Sequence, residues 1–412
     1  MPELVFRRNS FQETLIRLEY TSAPDRPVDL FSRACVEHYR ELRTDRYGYS
    51  FTQVFEPGVL REAALLDGRR YEPLADLRDQ PGPAVVRLAE LADNAPDLSV
   101  IGLVNVASAL ITISRFDPAS RLLRLAEARA VTPRDRLETA MLDFMVANRR
   151  DDGAGSPGAF SRMREAIETG TVPRERVIDV CAQAVVWYLK RKELSEADFR
   201  WYVRTGCALT KEPEHIDPTT ISAWNRALAM IPAGKGQALS TRRYMERTRE
   251  AAQEAISRRS RPYELNFLKT YYESTLKEHL YVTRDFDKAR DAGESLIALD
   301  SAWSPSYAEL AEVHQRAGDK RRAAELYEEA AAMGPPYVGH HLLRATRCWE
   351  ELGEYERAVD HYLTLCRLAP GNEPLLRSGF RAAQNASSPA RDRFEQMLAQ
   401  TAGLTGTGER RP

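Results

Sequence analysis

Residue types able to do chemistry are sparse in this chain, and their spacing argues against most of the chemistry they suggest. Cys35 and His38 lie three apart on a predicted helix, a spacing that can pair a thiol with a base. No loop suited to an oxyanion hole accompanies them, and a helical cysteine beside an exposed histidine is an ordinary arrangement, so no catalytic residue is assigned. His340 and His341, with His361, Cys348 and Cys366 nearby in sequence, are metal-ligand types. Adjacent side chains on a helix diverge by about 100°, so the two histidines do not easily share an ion. Both cysteines also fall where hydrophobic packing is expected, so no metal is expected. Gly234-Lys235-Gly236 has the composition of a phosphate loop but lacks the G-x-x-x-x-G-K-[ST] spacing and a preceding strand, and it reads as a turn. No cofactor is expected.

Composition narrows the class further. The net charge of −1 sets up no global field toward nucleic acid or an anionic membrane, so neither is expected as a partner. Only 8 of the 59 basic residues are lysine. The 60 acidic residues interspersed among the arginines point to a GC-rich bacterial coding genome rather than to RNA binding. Five scattered cysteines with no C-x-x-C pair suit a reducing compartment. No apolar run approaches the ~20 residues of a membrane span, and the N-terminus has no hydrophobic signal core. A cytoplasmic location is expected.

The elements that would position any site are helices. Residues 1–82 are expected to form a cap or small irregular domain. In it, Ser10-Phe-Gln-Glu13 reads as a capping box, and Tyr47, Tyr49, Phe51 and Phe55 form an aromatic cluster. From Pro83 onward apolar residues recur at helical spacing. Helix pairs are predicted at about 97–131, 134–169, 174–210 and 216–258, then in a clearer array over 263–370, with a closing pair at 373–400. Residues 83–262 read as degenerate hairpins and 263–400 as the regular array with its capping pair. The polar, Gly-rich stretch 401–412 is expected to be disordered.

One phrase is written twice in the regular array. Gly318, Ala323, Tyr327, Ala330 and Pro335 return 35 residues later as Gly353, Ala358, Tyr362, Leu365 and Pro370. A weaker copy has Phe286, Ala289 and Leu296, with Ala289 34 residues before Ala323. This pattern resembles the tetratricopeptide (TPR) repeat family. The resemblance implies an all-α, right-handed α-solenoid of TPR-like helical hairpins with an irregular N-terminal cap. The small alanines would allow paired helices to touch, the glycines would take left-handed turns, and the prolines would end second helices. Glu273 and Lys277 depart from the apolar and small residues preferred there, and Arg284 replaces the turn glycine.

Carried onto this sequence, the family register implies a peptide groove lined by Tyr271, Glu278, Tyr281, Glu312, Gln315, Arg316, His340, Arg344 and Arg347. Arg344 and Arg347 together suit a carboxylate. The Lys/Asn clamp that family members use for chaperone C-termini is not reproduced. The expected function is a non-enzymatic adaptor or regulatory scaffold for a protein or peptide. The alternatives are a peptide-responsive regulator, or an accessory subunit of an enzyme complex that works through residues 1–82.

Overall fold

The computed structural model describes residues 94–406 except 113–115, 150–154, 193, 260–261, 300–302, 333–337 and 370. The expected N-terminal cap, the Ser10 capping box, Cys35 with His38, the aromatic cluster, and Pro335 and Pro370 lie outside the described residues. Among those described, the chain is 86% helical, with 16 α-helices and no strand. They form successive hairpins of the TPR-like solenoid class.

Two compact units divide the described residues, 94–299 and 303–406. The first unit holds five hairpins, in order α1 (Val100–Thr112) with α2 (Phe116–Arg129), α3 (Pro133–Arg149) with α4 (Gly155–Thr169), α5 (Arg174–Arg191) with α6 (Glu196–Leu209), α7 (Pro218–Gly234) with α8 (Ala238–Arg258), and α9 (Pro262–Lys277) with α10 (Phe286–Leu299). The second holds three, α11 (Ser304–Arg316) with α12 (Lys320–Ala332), α13 (Val338–Glu351) with α14 (Tyr355–Leu368), and α15 (Glu373–Asn385) with α16 (Ala390–Gly406). The helix pairs read from periodicity are all present. The last helix continues to Gly406, six residues into the stretch expected to be disordered.

Hairpin turns set the repeat length. Residues with left-handed backbone recur at Arg284 (φ 58°), Gly318 (92°), Gly353 (78°) and Ser387 (51°), spaced by 34, 35 and 34 residues. After each glycine the next amide donates back across five residues, Asp319 N to His314 O at 2.9 Å and Glu354 N to Trp349 O at 2.9 Å. Ser388 N closes the last turn in the same way on Ala383 O at 2.8 Å. This is the Schellman-type closure of a helix end. At Arg284 the closing bond runs instead from Asp285 N to His279 O, across six residues. The extra residue is absorbed by a π-helical turn, Glu278–Thr283, at the end of α9. Arg284 thus takes the left-handed geometry expected of a glycine, at a local cost of roughly 1–2 kcal/mol. Gly234-Lys235-Gly236 ends α7 and forms the turn expected of it, with Gly236 at φ 67°.

Close approach within hairpins depends on small residues. Ala289, Ala323 and Ala358 are each 0% exposed, as the repeat register predicts. Between α6 and α7, and within the closing pair α15 and α16, a glycine under a large ring serves the same end. A Cβ on Gly206 would lie 2.4 Å from the Trp224 ring, and one on Gly379 would lie 2.4 Å from Phe394. Aromatic residues fill the wider gaps of the first unit, where Phe144 packs on Phe160 at 4.7 Å and edge-on to Trp187 at 5.1 Å. Tyr202 satisfies its buried hydroxyl on Phe160 O at 2.6 Å.

Because Ala358 is fully buried at its place in the hairpin, Ala358→Leu is expected to destabilise the chain by roughly 1–3 kcal/mol through overpacking. Urea unfolding of the variant measures this, and an unchanged midpoint would show that Ala358 is not at a helix contact.

Candidate functional site

Within the second unit, α11 and α13 carry six of the residues implied for the groove. The Arg344 guanidinium donates through Nη2 to Gln315 Oε1 at 2.9 Å and to the Tyr327 hydroxyl at 3.1 Å, with Nε 3.2 Å from the same oxygen. Its charge also lies 5.4 Å from the Tyr327 ring centroid. Burial opposes this charge, but Tyr327 and Glu312 outweigh it and hold the Arg344 pKa above its ordinary value. Arg344 therefore ties α13 to α11 and α12 instead of projecting freely. Arg316 is exposed and bonds to Glu312 at 3.0 Å on its own helix. Arg347 is exposed and makes no hydrogen bond or ion pair among the described residues.

The histidines are interior residues. His340 is 5% exposed and His341 is fully buried, with its Nε2 3.2 Å from Ser304 Oγ. Burial, reinforced by Arg344 and Arg347, lowers the His340 pKa to about 3. His361 pairs with Glu328 at 3.3 Å. Cys348 and Cys366 pack inside as expected, and burial pushes both thiols up to about 11. Among the described residues, no three His, Cys, Asp or Glu side chains are grouped to hold a metal.

Tyr271, Glu278 and Tyr281 belong to the first unit. Glu278 opens the π turn and is 4% exposed. Arg242 of α8 grips it with both ends of its guanidinium, Nε at 3.0 Å from one carboxylate oxygen and Nη2 on the other. Burial raises the Glu278 pKa, and Arg242 opposes that shift. Arg242 also reaches the Tyr271 hydroxyl. Tyr271 itself is 6% exposed and packs with Ala229 and Met245. Glu278 and Tyr271 are thus brought together by a residue that sequence reasoning did not single out, and they face inward. Tyr281 is half-buried. Of the nine residues implied by the family register, Tyr271, Glu278 and His340 form floor, not contact surface.

A further feature had no signal in the sequence. The first unit holds a cavity of about 740 Å³ between the end of α6, the start of α7, and α8, with Trp224, Ile216 and Leu228 against Arg247, Glu250 and Cys207. The lining comes from three helices and from the α6–α7 connection, including Pro213 and Ile216, and only their packing makes a concavity. No described helix is long and apolar enough to cross a membrane.

Two outcomes are expected from this geometry. Arg344→Ala leaves the buried Tyr327 hydroxyl without its donor, so a loss of roughly 1–3 kcal/mol is expected in urea unfolding. A double-mutant cycle with Tyr327→Phe should show the two changes to be coupled. The folded-state pKa of His340 lies below its unfolded value of 6.5, so its contribution is intact above pH 6.5 and is lost as pH falls toward 3. Stability should therefore fall by ~1.4 kcal/mol per unit between pH 6.5 and 5 from this group, and His340→Gln should flatten that slope.

No protein-family model matches the chain, and no curated protein matches it. Among solved structures, the human IFIT1 dimer with PPP-AAAA aligns with a TM-score of 0.50 at 12% identity, covering 96% of this chain and 96% of that one. The human IFIT1 dimer with m7Gppp-AAAA aligns with a TM-score of 0.47 at 13% identity, covering 97% of this chain and 96% of that one. The APC/C hetero-tetramer Cut9-Hcn1 gives a TM-score of 0.27 at 12% identity, covering 92% of this chain and 96% of that one. At such identity the first likeness speaks to fold alone, and the chain shares the TPR-like helical-repeat fold of IFIT1.

Proposed function

We propose that this chain is a non-enzymatic, cytoplasmic scaffold that holds a protein or peptide partner on the first-helix face of its stacked hairpins. The observation that carries the proposal is Arg347, a cation exposed and unpaired among the described residues, set one turn from a rigidly tied Arg344. A solvated arginine on a preorganised face offers a charge-assisted contact to a carboxylate at little ordering cost. Stacked hairpins supply the extended surface over which further contacts accumulate.

A nucleic-acid reading is favoured by one observation, that human IFIT1 is solved with PPP-AAAA. The even balance of 59 basic and 60 acidic residues favours a peptide over a polyanion.

Affinity capture with the full chain, followed by isothermal titration of the partner obtained, tests the proposal. Arg347→Ala should weaken binding by roughly 1–3 kcal/mol with little change in melting temperature, because Arg347 makes no hydrogen bond or ion pair among the described residues. Unchanged affinity, preference for PPP-AAAA over the captured protein, or docking on residues 1–82 alone would overturn it.

A further inference from the structure

The cavity of about 740 Å³ in the first unit has a floor and a rim of different chemistry. Its buried lining is mostly apolar, with Ile216, Trp224 and Leu228 at 3%, 2% and 6% exposure. One polar side chain interrupts this floor. Asn225 is 8% exposed, and its Nδ2 donates to Ile221 O, one turn back on the same helix, at 2.9 Å. Its carbonyl Oδ1 accepts no hydrogen bond among the described residues. The fold therefore makes no use of this buried acceptor, and a ligand N–H entering the cavity would supply its donor.

Exposed charges form the rim. On α8, Arg258 pairs with Glu254. Arg247 and Glu250 of α8, and Glu214 of the α6–α7 connection, make no hydrogen bond or ion pair among the described residues. Two uncommitted carboxylates against one guanidinium leave the rim acidic. Arg247 and Arg258 lie eleven residues apart on α8, which gives the rim a length of about 16 Å. An extended peptide of about five residues spans the same distance. The cavity also falls within the ~300–1,000 Å³ of ligand pockets. The connection 210–217 is longer than 130–132 between α2 and α3 or 170–173 between α4 and α5, and its 3₁₀ turn, Pro213–His215, supplies part of the wall. That wall is an addition to the hairpin pattern.

We infer that this cavity binds an extended peptide segment of a partner through an apolar side chain carried beside a basic residue. The assignment rests on the peptide-binding function proposed above, and adds to it a contact whose charge preference is opposite to that of Arg347. The apolar side chain packs on Trp224 and Leu228, a peptide N–H donates to Asn225 Oδ1, and the basic residue meets the carboxylates of the rim. A polyanion matches neither the free acceptor nor the acidic rim.

The chain holds five tryptophans, so ¹⁹F NMR of the full chain labelled with 5-fluorotryptophan gives few signals, and Trp224→Phe identifies the one from the cavity. Three probes are titrated: acetyl-Ala-Phe-Lys-Ala-amide, acetyl-Ala-Phe-Glu-Ala-amide and acetyl-Ala-Ala-Lys-Ala-amide. The Phe-Lys peptide should shift the Trp224 signal and bind about threefold more tightly than the Phe-Glu peptide, as exposed charge pairs allow. The peptide without phenylalanine should leave the signal in place. Glu250→Arg should invert the order of the two phenylalanine peptides with little change in melting temperature. Asn225→Leu should weaken the Phe-Lys peptide about tenfold, and Asn225→Asp, which keeps the acceptor, should restore it. Should Asn225→Leu melt far below the wild type, the inversion at Glu250 decides alone. A Trp224 signal that no peptide moves, a charge preference that Glu250→Arg leaves unchanged, or full binding by a folded Asn225→Leu would overturn the assignment. Arg347→Ala should leave the Trp224 response intact. If the cavity variants bind the captured partner normally while Arg347→Ala weakens it, the cavity assignment fails and the scaffold function stands.

Discussion

A pair of antiparallel helices has an apolar stripe on each helix and water on the remaining sides, so it cannot stabilise itself alone and must lie against another pair. Everything else in this protein depends on how closely those pairs approach. In the regular hairpins, approach is set by Ala289, Ala323 and Ala358, whose methyl groups are wholly enclosed. Between α6 and α7, and in the closing pair, a glycine is pressed under a ring, Gly206 under Trp224 and Gly379 under Phe394. The two devices solve one problem, bringing backbones close while leaving no void.

Turn geometry is the second constraint, and one irregularity in it has consequences for the candidate surface. Three turns close over five residues, and the turn at Arg284 closes over six because a π-helical turn intervenes. Glu278, which opens that turn, lies in the interior, where Arg242 meets it. A position that the repeat register assigns to the groove is here half of a buried ion pair. Breaking such a pair is costly because one charge is left unmatched.

Within each unit, electrostatics separates charges that are tied down from charges that are available. Arg344, Arg242 and Glu278 are committed to neighbouring helices and hold the hairpins in register. Arg347 makes no hydrogen bond or ion pair among the described residues and lies on open surface. A binding protein uses this division well, since the tied residues preorganise a surface on which a few free charges act.

Local pattern was enough to read much of this molecule. The helix pairs, the left-handed turns at Gly318 and Gly353, and the burial of Ala323 and Ala358 are dictated by periodicity and residue size, which act within one hairpin. The site was only half legible, for a physical reason. A long charged side chain reaches whatever helix passes nearby, and that helix is distant in sequence. Arg344 bonds Tyr327 and Gln315, 17 and 29 residues away, and Arg242 bonds Glu278, 36 residues away. The sequence by itself determined that hairpins form and which small residues face their partners. Only the tertiary structure decided which arginines are tied down, because that depends on how far apart the packed helices lie and on the one residue added by the π turn.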